Sequence, residues 1–211
     1  MPARSEEETV VVFDLGGVVV RWSDRWVFDR VADGLGLPRA RVARCLAREA
    51  DALMAGRGGL GEFWRRSERS LGARIPPRLR RQWTGLFAAR ASIDPAVAEW
   101  IRALQRDRVR VACLSNTDRS HIRDFPDRRL LARFAPSLYS YRLGATKPHR
   151  AAFDRARRAL GVPARRLVLI DDRPENVRAA RRAGWRAIRF LSPAQARRAL
   201  ERALVRRGET S

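Results

Sequence analysis

Three short apolar runs each end in polar side chains: "TVVVFDLGG" at residues 9–17, "VRVACLSNT" at 109–117 and "RLVLIDDRP" at 166–174. Runs this short and this rich in valine and leucine read as buried strands, and strands of that kind belong to parallel sheets covered by helices. The segments between them supply the helices. Asp94 and Pro95 open a helical pattern over Ala96–Gln105, the aspartate as cap and the proline in the first position. "AAFDRARRALGV" and "SPAQARRALERALVRRG" repeat apolar residues at helical spacing, with arginine on the outer side. "SLYSYRL" reads as a weaker strand and "WRAIRF" as the last one. From about residue 24 to 91 only helical segments appear, broken by "DGLGLP", "GRGGLG" and "IPP". The expected architecture is an α/β fold whose parallel-sheet core takes residues 1–20 and 93–211, with residues 21–92 inserted as a helical cap.

In open parallel sheets, ligands bind beyond the carboxyl ends of the strands. Four polar groups follow or lie near such ends: Asp14, Ser115 with Asn116, Lys147, and Asp171 with Asp172. The lysine is singular, because the other 44 of the chain's 45 basic residues are arginine. Guanidinium is a broad planar fork, whereas an ammonium is a compact point charge on a flexible stem, so a position that keeps lysine is one that demands the smaller cation. Three carboxylates in one crevice repel one another, and burying them unpaired is costly. A divalent cation that prefers oxygen ligands, together with Lys147, relieves the repulsion. Mg²⁺ fits that donor set and commonly shares a phosphate oxygen with its substrate.

The order of these motifs resembles that of the haloacid dehalogenase (HAD) superfamily. "VVFDLGGVV" is similar to its motif I, "ACLSNT" to motif II, "ATKP" to motif III and "LIDDRPENV" to motif IV, and the resemblance spans nearly the whole chain. It implies a Rossmann-like three-layer core with a small helical cap of the C1 type. The "DLGG" and "LSNT" pair resembles the subgroup that includes α-glucose-1-phosphate phosphatases. By that resemblance Asp14 is the nucleophile, Ser115 and the Asn116 amide hold phosphate, and Lys147 sits between Asp14 and the phosphoryl group. The metal is held by Asp14, the Gly16 carbonyl and Asp171, with Asp172 as an outer partner and Asn176 supporting the loop. The implied activity is that of a Mg²⁺-dependent phosphatase of small phosphorylated metabolites, a sugar phosphate among them, acting through an aspartyl phosphate. One departure matters. Phosphatases of the superfamily usually carry a second aspartate two residues after the nucleophile, and Gly16 stands there. The resembling subgroup shares that glycine and includes active phosphatases. Dehalogenation of 2-haloacids is the less favoured alternative.

The formal charge of +22 raises a different class of function, binding of nucleic acid or another polyanion by a catalytically weak member of the fold. The excess lies in the last two thirds of the chain, mostly on the outer faces of helical patterns, so a solvated face is favoured. Arg57, in the "GRGGLGEFW" loop of the cap, is a candidate substrate contact. His121 and His149 are expected to be ordinary structural or surface residues. Cys45 and Cys113 have no metal-like spacing, and no signal peptide or membrane-length apolar run stands out, which points to a cytoplasmic protein with free thiols. The oligomeric state has no signature in the sequence.

Overall fold

A computed structural model describes residues 9–205. Strand β1 (Val10–Phe13) leads into a tight loop and the short strand β2 (Val20–Arg21). Five helices follow: α1 (Arg25–Leu35), α2 (Arg39–Met54), α3 (Leu60–Leu71), α4 (Pro77–Arg80) and α5 (Gln82–Arg90). The chain returns through β3 (Ser92–Ile93) to α6 (Pro95–Arg106) and β4 (Arg110–Ser115). Short helices α7 (Arg119–Arg123) and α8 (Arg128–Leu131) precede β5 (Ser137–Tyr139), α9 (Ser140–Leu143) and α10 (Arg150–Leu160). Then come β6 (Leu167–Asp171), α11 (Pro174–Arg182), β7 (Arg186–Arg189) and α12 (Pro193–Val205).

The sheet order β5-β4-β1-β6-β7, parallel throughout, makes this an α/β fold with a Rossmann-like core. All four residues of β1 are fully buried because alternate side chains feed two different cores. Val11 and Phe13 join Val111, Ile170, Val97, Ile101 and Leu200 on one face, where α6 and α12 pack. Val10 and Val12 join Leu114, Leu169, Phe153 and Val177 on the other, under α10 and α11. The register pairs Phe13 with both Cys113 and Ile170, so the carboxyl ends of β4, β1 and β6 emerge side by side. That alignment places Ser115, Asp14 and Asp171 on one edge of the sheet.

Asp94 caps α6 as expected, accepting from the Ala96 and Val97 amides at 3.0 and 3.3 Å, with Pro95 opening the helix. The helices between β2 and β3 gather a core of their own around Val31, Leu46, Phe63 and Trp83. β2 and β3 pair antiparallel, Val20 opposite Ile93 and Arg21 opposite Ser92, and Arg21 lies 2.9 Å from Asp94 beside them. The "SLYSYRL" segment departs from its expected form. Only Ser137–Tyr139 is strand, and the chain turns helical at Ser140, whose hydroxyl accepts from Thr117 N and donates to Thr117 O. Those bonds draw the backbone away from the β4 ladder. Both cysteines are buried and unpaired, and burial pushes the Cys113 thiol up to about 12, which makes it inert. Among the described residues no helix is long and apolar enough to cross a membrane.

Candidate active site

A crevice of about 560 Å³ opens at the carboxyl edge of the sheet, between it and helices α1, α2 and α5. Its floor is made by Asp14, Gly16, Ser115, Asn116, Lys147 and Asp172. Lys147 is the centre of this floor. Its ammonium is buried and lies 3.1 Å from Asp14 Oδ2 and 2.6 Å from Asp171 Oδ2, bridging the ends of two neighbouring strands. Burial alone would depress that ammonium, but Asp14 and Asp171 outweigh it and hold its pKa above the ordinary value. The backbone of Lys147 is fixed as well. Asn116 brackets it, donating from Nδ2 to Lys147 O at 2.7 Å and accepting Lys147 N at 2.8 Å.

Asp14 keeps its backbone N–H in the ladder to Ile170 O at 2.9 Å, while Oδ1 accepts the Leu15 amide at 2.7 Å. Burial lifts its carboxyl to about 7; the Lys147 ammonium works against that rise, and the Asp171 and Asp172 charges add to it. The two adjacent aspartates differ sharply. Asp171 is fully buried and saturated, with Arg173 N and Asn176 Nδ2 on Oδ1 and Lys147 Nζ and Asn176 Nδ2 on Oδ2. Asp172 lines the crevice, and its buried Oδ1 has no hydrogen-bond partner. Burial, then the Asp171 charge, raises its pKa. One oxygen from each of Asp14, Asp171 and Asp172 falls within 4.8 Å of the others. This all-oxygen set, with an orphaned carboxylate oxygen at its rim, suits a hard divalent cation.

The loop after Asp14 is shaped around these carboxylates. Val18, Val19 and Val20 donate to Leu15 O and Gly17 N donates to Val20 O, so these turn bonds leave the Gly16 carbonyl unused. Gly17 has φ +76°, and a side chain there would overlap the Asp172 carboxylate; at Gly16 a Cβ would meet nothing within 4 Å. Glycine is therefore required at 17 and optional at 16.

Arg57 is not part of the crevice lining. It is exposed and pairs with Asp51 at 3.2 Å, in a loop whose Gly56 lies against the Tyr141 carbonyl; Asp51 itself lines the roof and accepts the Thr146 hydroxyl. Among the cap residues, Trp22, Asp24, Arg25 and Phe28 face the crevice instead. His149 is exposed at the start of α10. His121 is neither exposed nor remote: it lines the crevice, nearly parallel to the Phe87 and Trp83 rings at 4.2 and 5.4 Å. Below it Asp118 accepts Trp83 Nε1 at 2.9 Å, joining α5 to the head of α7, and also takes the Ser120 amide and hydroxyl. Sequence reasoning stopped at Asn116 and missed this knot. The one available signal was Asp118 itself, directly before a short helix and placed to cap it.

Searches of curated proteins return no match. Solved structures of similar fold are numerous. A HAD family enzyme from Bacteroides thetaiotaomicron, in complex with magnesium and inorganic phosphate, aligns with 86% of this chain and 93% of its own at 19% identity, TM-score 0.68. A HAD-like family hydrolase from Porphyromonas gingivalis covers 97% and 99% at 22% identity, TM-score 0.69. L-2-haloacid dehalogenase from Xanthobacter autotrophicus covers 94% and 82% at 19% identity, TM-score 0.62. At such identities the likeness speaks for the fold alone. The family match is made on the sequence: the haloacid dehalogenase-like hydrolase family matches residues 9–184, spanning β1 to the end of α11 and every floor residue of the crevice. The chain belongs to the haloacid dehalogenase-like hydrolases.

Proposed function

We propose that the crevice is a Mg²⁺-dependent phosphatase site for small phosphorylated metabolites, of the kind represented by the α-glucose-1-phosphate phosphatase subgroup. The observation that carries this reading is the charge balance of the floor. Three carboxylates face one ammonium, and the surplus is concentrated where the Asp172 oxygen has no partner. Left so, the floor repels any anionic substrate; a divalent cation cancels the surplus and prepares it for a phosphate.

We assign the aspartate pair the reverse of the expected roles. Both Asp171 oxygens already accept hydrogen bonds and one binds Lys147, whereas Asp172 Oδ1 accepts none, so Asp172, Asp14 Oδ and the Gly16 carbonyl are the ligands we assign to Mg²⁺. When bound, the cation supplies Lewis-acid neutralisation of phosphate charge. The protein does the rest. Leu15 N and Lys147 Nζ fix the Asp14 carboxylate in one orientation. The Ser115 hydroxyl and the Asn116 amide hold phosphate oxygens, and Lys147 offsets the charge that builds as the phosphoryl group moves. One Asp14 oxygen bonds to phosphorus as the ester oxygen leaves; water then attacks phosphorus, releasing inorganic phosphate and restoring the carboxylate. Gly16 has no proton to give the leaving oxygen, which must draw it from water.

The test is a panel of phosphorylated metabolites and 2-haloacids, assayed with Mg²⁺ and with EDTA, for wild type and Asp14→Asn. Phosphate release that needs Mg²⁺ and is lost in Asp14→Asn supports the reading. Halide release that ignores EDTA would identify a dehalogenase instead.

A further inference from the structure

Some surface arginines lie against carboxylates, among them Arg39 against Asp33, Arg80 against Glu68, Arg106 against Glu99 and Arg197 against Glu201. A hollow of about 660 Å³ gathers four arginines instead. It is lined by Arg119, Ile122 and Arg123 of α7, Arg128 of α8, and Tyr141 and Arg142 of α9, with no acidic side chain among them. Arg123 alone of the four meets a carboxylate, forking to Asp124 at 2.8 Å through both nitrogens. Arg119 lies 5.7 Å from the centre of the Tyr141 ring, and Arg142 sits 5.5 and 5.6 Å from Tyr139 and Tyr141. Arg128 is tied down by the Ile122 and Arg123 carbonyls at 3.2 and 2.9 Å.

Arg123 is offset by Asp124, but the rings and carbonyls hold Arg119, Arg128 and Arg142 in place without cancelling their charge. A solvated arginine face spreads like charges apart, whereas three short helices here bring four of them around one concavity. We propose that this hollow is a second anion-binding site, outside the catalytic crevice, for a small phosphate-bearing molecule. Guanidinium forks match phosphate oxygens two at a time. A nucleic acid strand fits less well, because the Tyr141 ring that could stack a base is already engaged by Arg119, Arg142 and the parallel Tyr139 ring 5.9 Å away. The site also adjoins the chemistry. Ile122 lines both the hollow and the crevice, and Ser140, the first residue of α9, holds the backbone of Thr117 just beyond Ser115 and Asn116.

The experiment is calorimetric titration of inorganic pyrophosphate into the full chain in EDTA. Without a divalent cation the crevice floor repels the same anion, so the heat reports the hollow whether or not the protein is a phosphatase. Wild type should bind at one site. Arg119→Gln/Arg142→Gln should weaken binding by roughly tenfold or more, as expected for losing charged hydrogen bonds. Arg65→Gln/Arg197→Gln, which removes the same charge from paired arginines elsewhere, should leave binding unchanged. Arg119→Lys/Arg142→Lys should fall between, and that pair decides the matter if circular dichroism shows the glutamine pair unfolded. No binding by wild type, or equal weakening in the hollow and control variants, overturns the proposal. So does a single-stranded oligonucleotide whose binding depends on the hollow arginines while pyrophosphate binding does not.

Discussion

Replacing Lys147 by arginine keeps the charge and removes only its compactness. The ammonium is buried, within 3.1 Å of one carboxylate oxygen and 2.6 Å of another, and its backbone is clamped on both sides by Asn116. A guanidinium is wider and cannot retreat, so it must displace Asp14, Asp171 or both, an overpacking that costs about 1–3 kcal/mol of stability. The effect on chemistry should be larger. Shifting Asp14 and losing one oriented cation resembles removal of an oxyanion-hole donor, worth about 2.7–4 kcal/mol, or about 10²–10³ in kcat. The assay is kcat and KM with saturating Mg²⁺ on the best phosphate ester found, beside thermal melting of both proteins. A kcat/KM within about threefold of wild type, less than about 1 kcal/mol of barrier, would falsify the claim that this position needs a point charge.

Asp171→Asn should destabilise the fold by about 3–5 kcal/mol in urea titration, since it breaks a buried ion pair, whereas Asp172→Asn should melt near wild type in EDTA but lose the Mg²⁺-induced rise in Tm. The reverse pattern would restore Asp171 as the metal ligand. Asp14 holds its proton in the metal-free fold up to about 7, while the unfolded chain releases it near the ordinary carboxylate value. Its contribution to stability is therefore complete at acid pH and declines as pH rises toward about 7, after which it is flat. Mg²⁺ competes with that proton, so the Mg²⁺-induced rise in Tm should grow across the same window; a pH-independent shift would remove Asp14 from the metal site. Gly16→Asp should fold normally and help poor leaving groups by up to about 10²–10⁴-fold over activated aryl phosphates, whereas Gly17→Ala should cost at least about 1–2 kcal/mol in the left-handed backbone alone. An unchanged leaving-group dependence in Gly16→Asp would mean that the acid step is served from elsewhere.

The sheet was legible because its three central strands are short valine- and leucine-rich runs that end in polar residues; the order of its strands came only with the structure. Lys147 was legible for a compositional reason, as the one lysine among arginines. What sequence could not supply was the sharing of hydrogen bonds. Nothing in "DD" separates Asp171 from Asp172 until Asn176, Arg173 and Lys147 are seen to converge on the first and leave Oδ1 of the second without a partner. The glycine loop that holds Arg57 carries no direction in its composition, and the structure pairs Arg57 with Asp51 rather than aiming it into the crevice. The hollow around Arg119 and Arg142 was invisible for the opposite reason. With 44 arginines in the chain, only tertiary placement distinguishes those that meet carboxylates from those that lie over tyrosine rings.

The two-stranded ribbon of β2 and β3 gives the molecule an unusual freedom of descent. Because Val20 faces Ile93 and Arg21 faces Ser92, about seventy intervening residues leave and re-enter the core through adjacent sockets. Closure cost grows only slowly with the length spanned, so lineages can graft a shorter, longer or differently folded roof onto the same chemistry without disturbing a single sheet strand. One limit on such exchange is the Trp83–Asp118 bond. Any replacement roof must either bring a donor to that buried carboxylate or rewrite the head of α7, so the inheritance of new substrate preference should leave its footprint at residue 118, far from Asp14 in sequence.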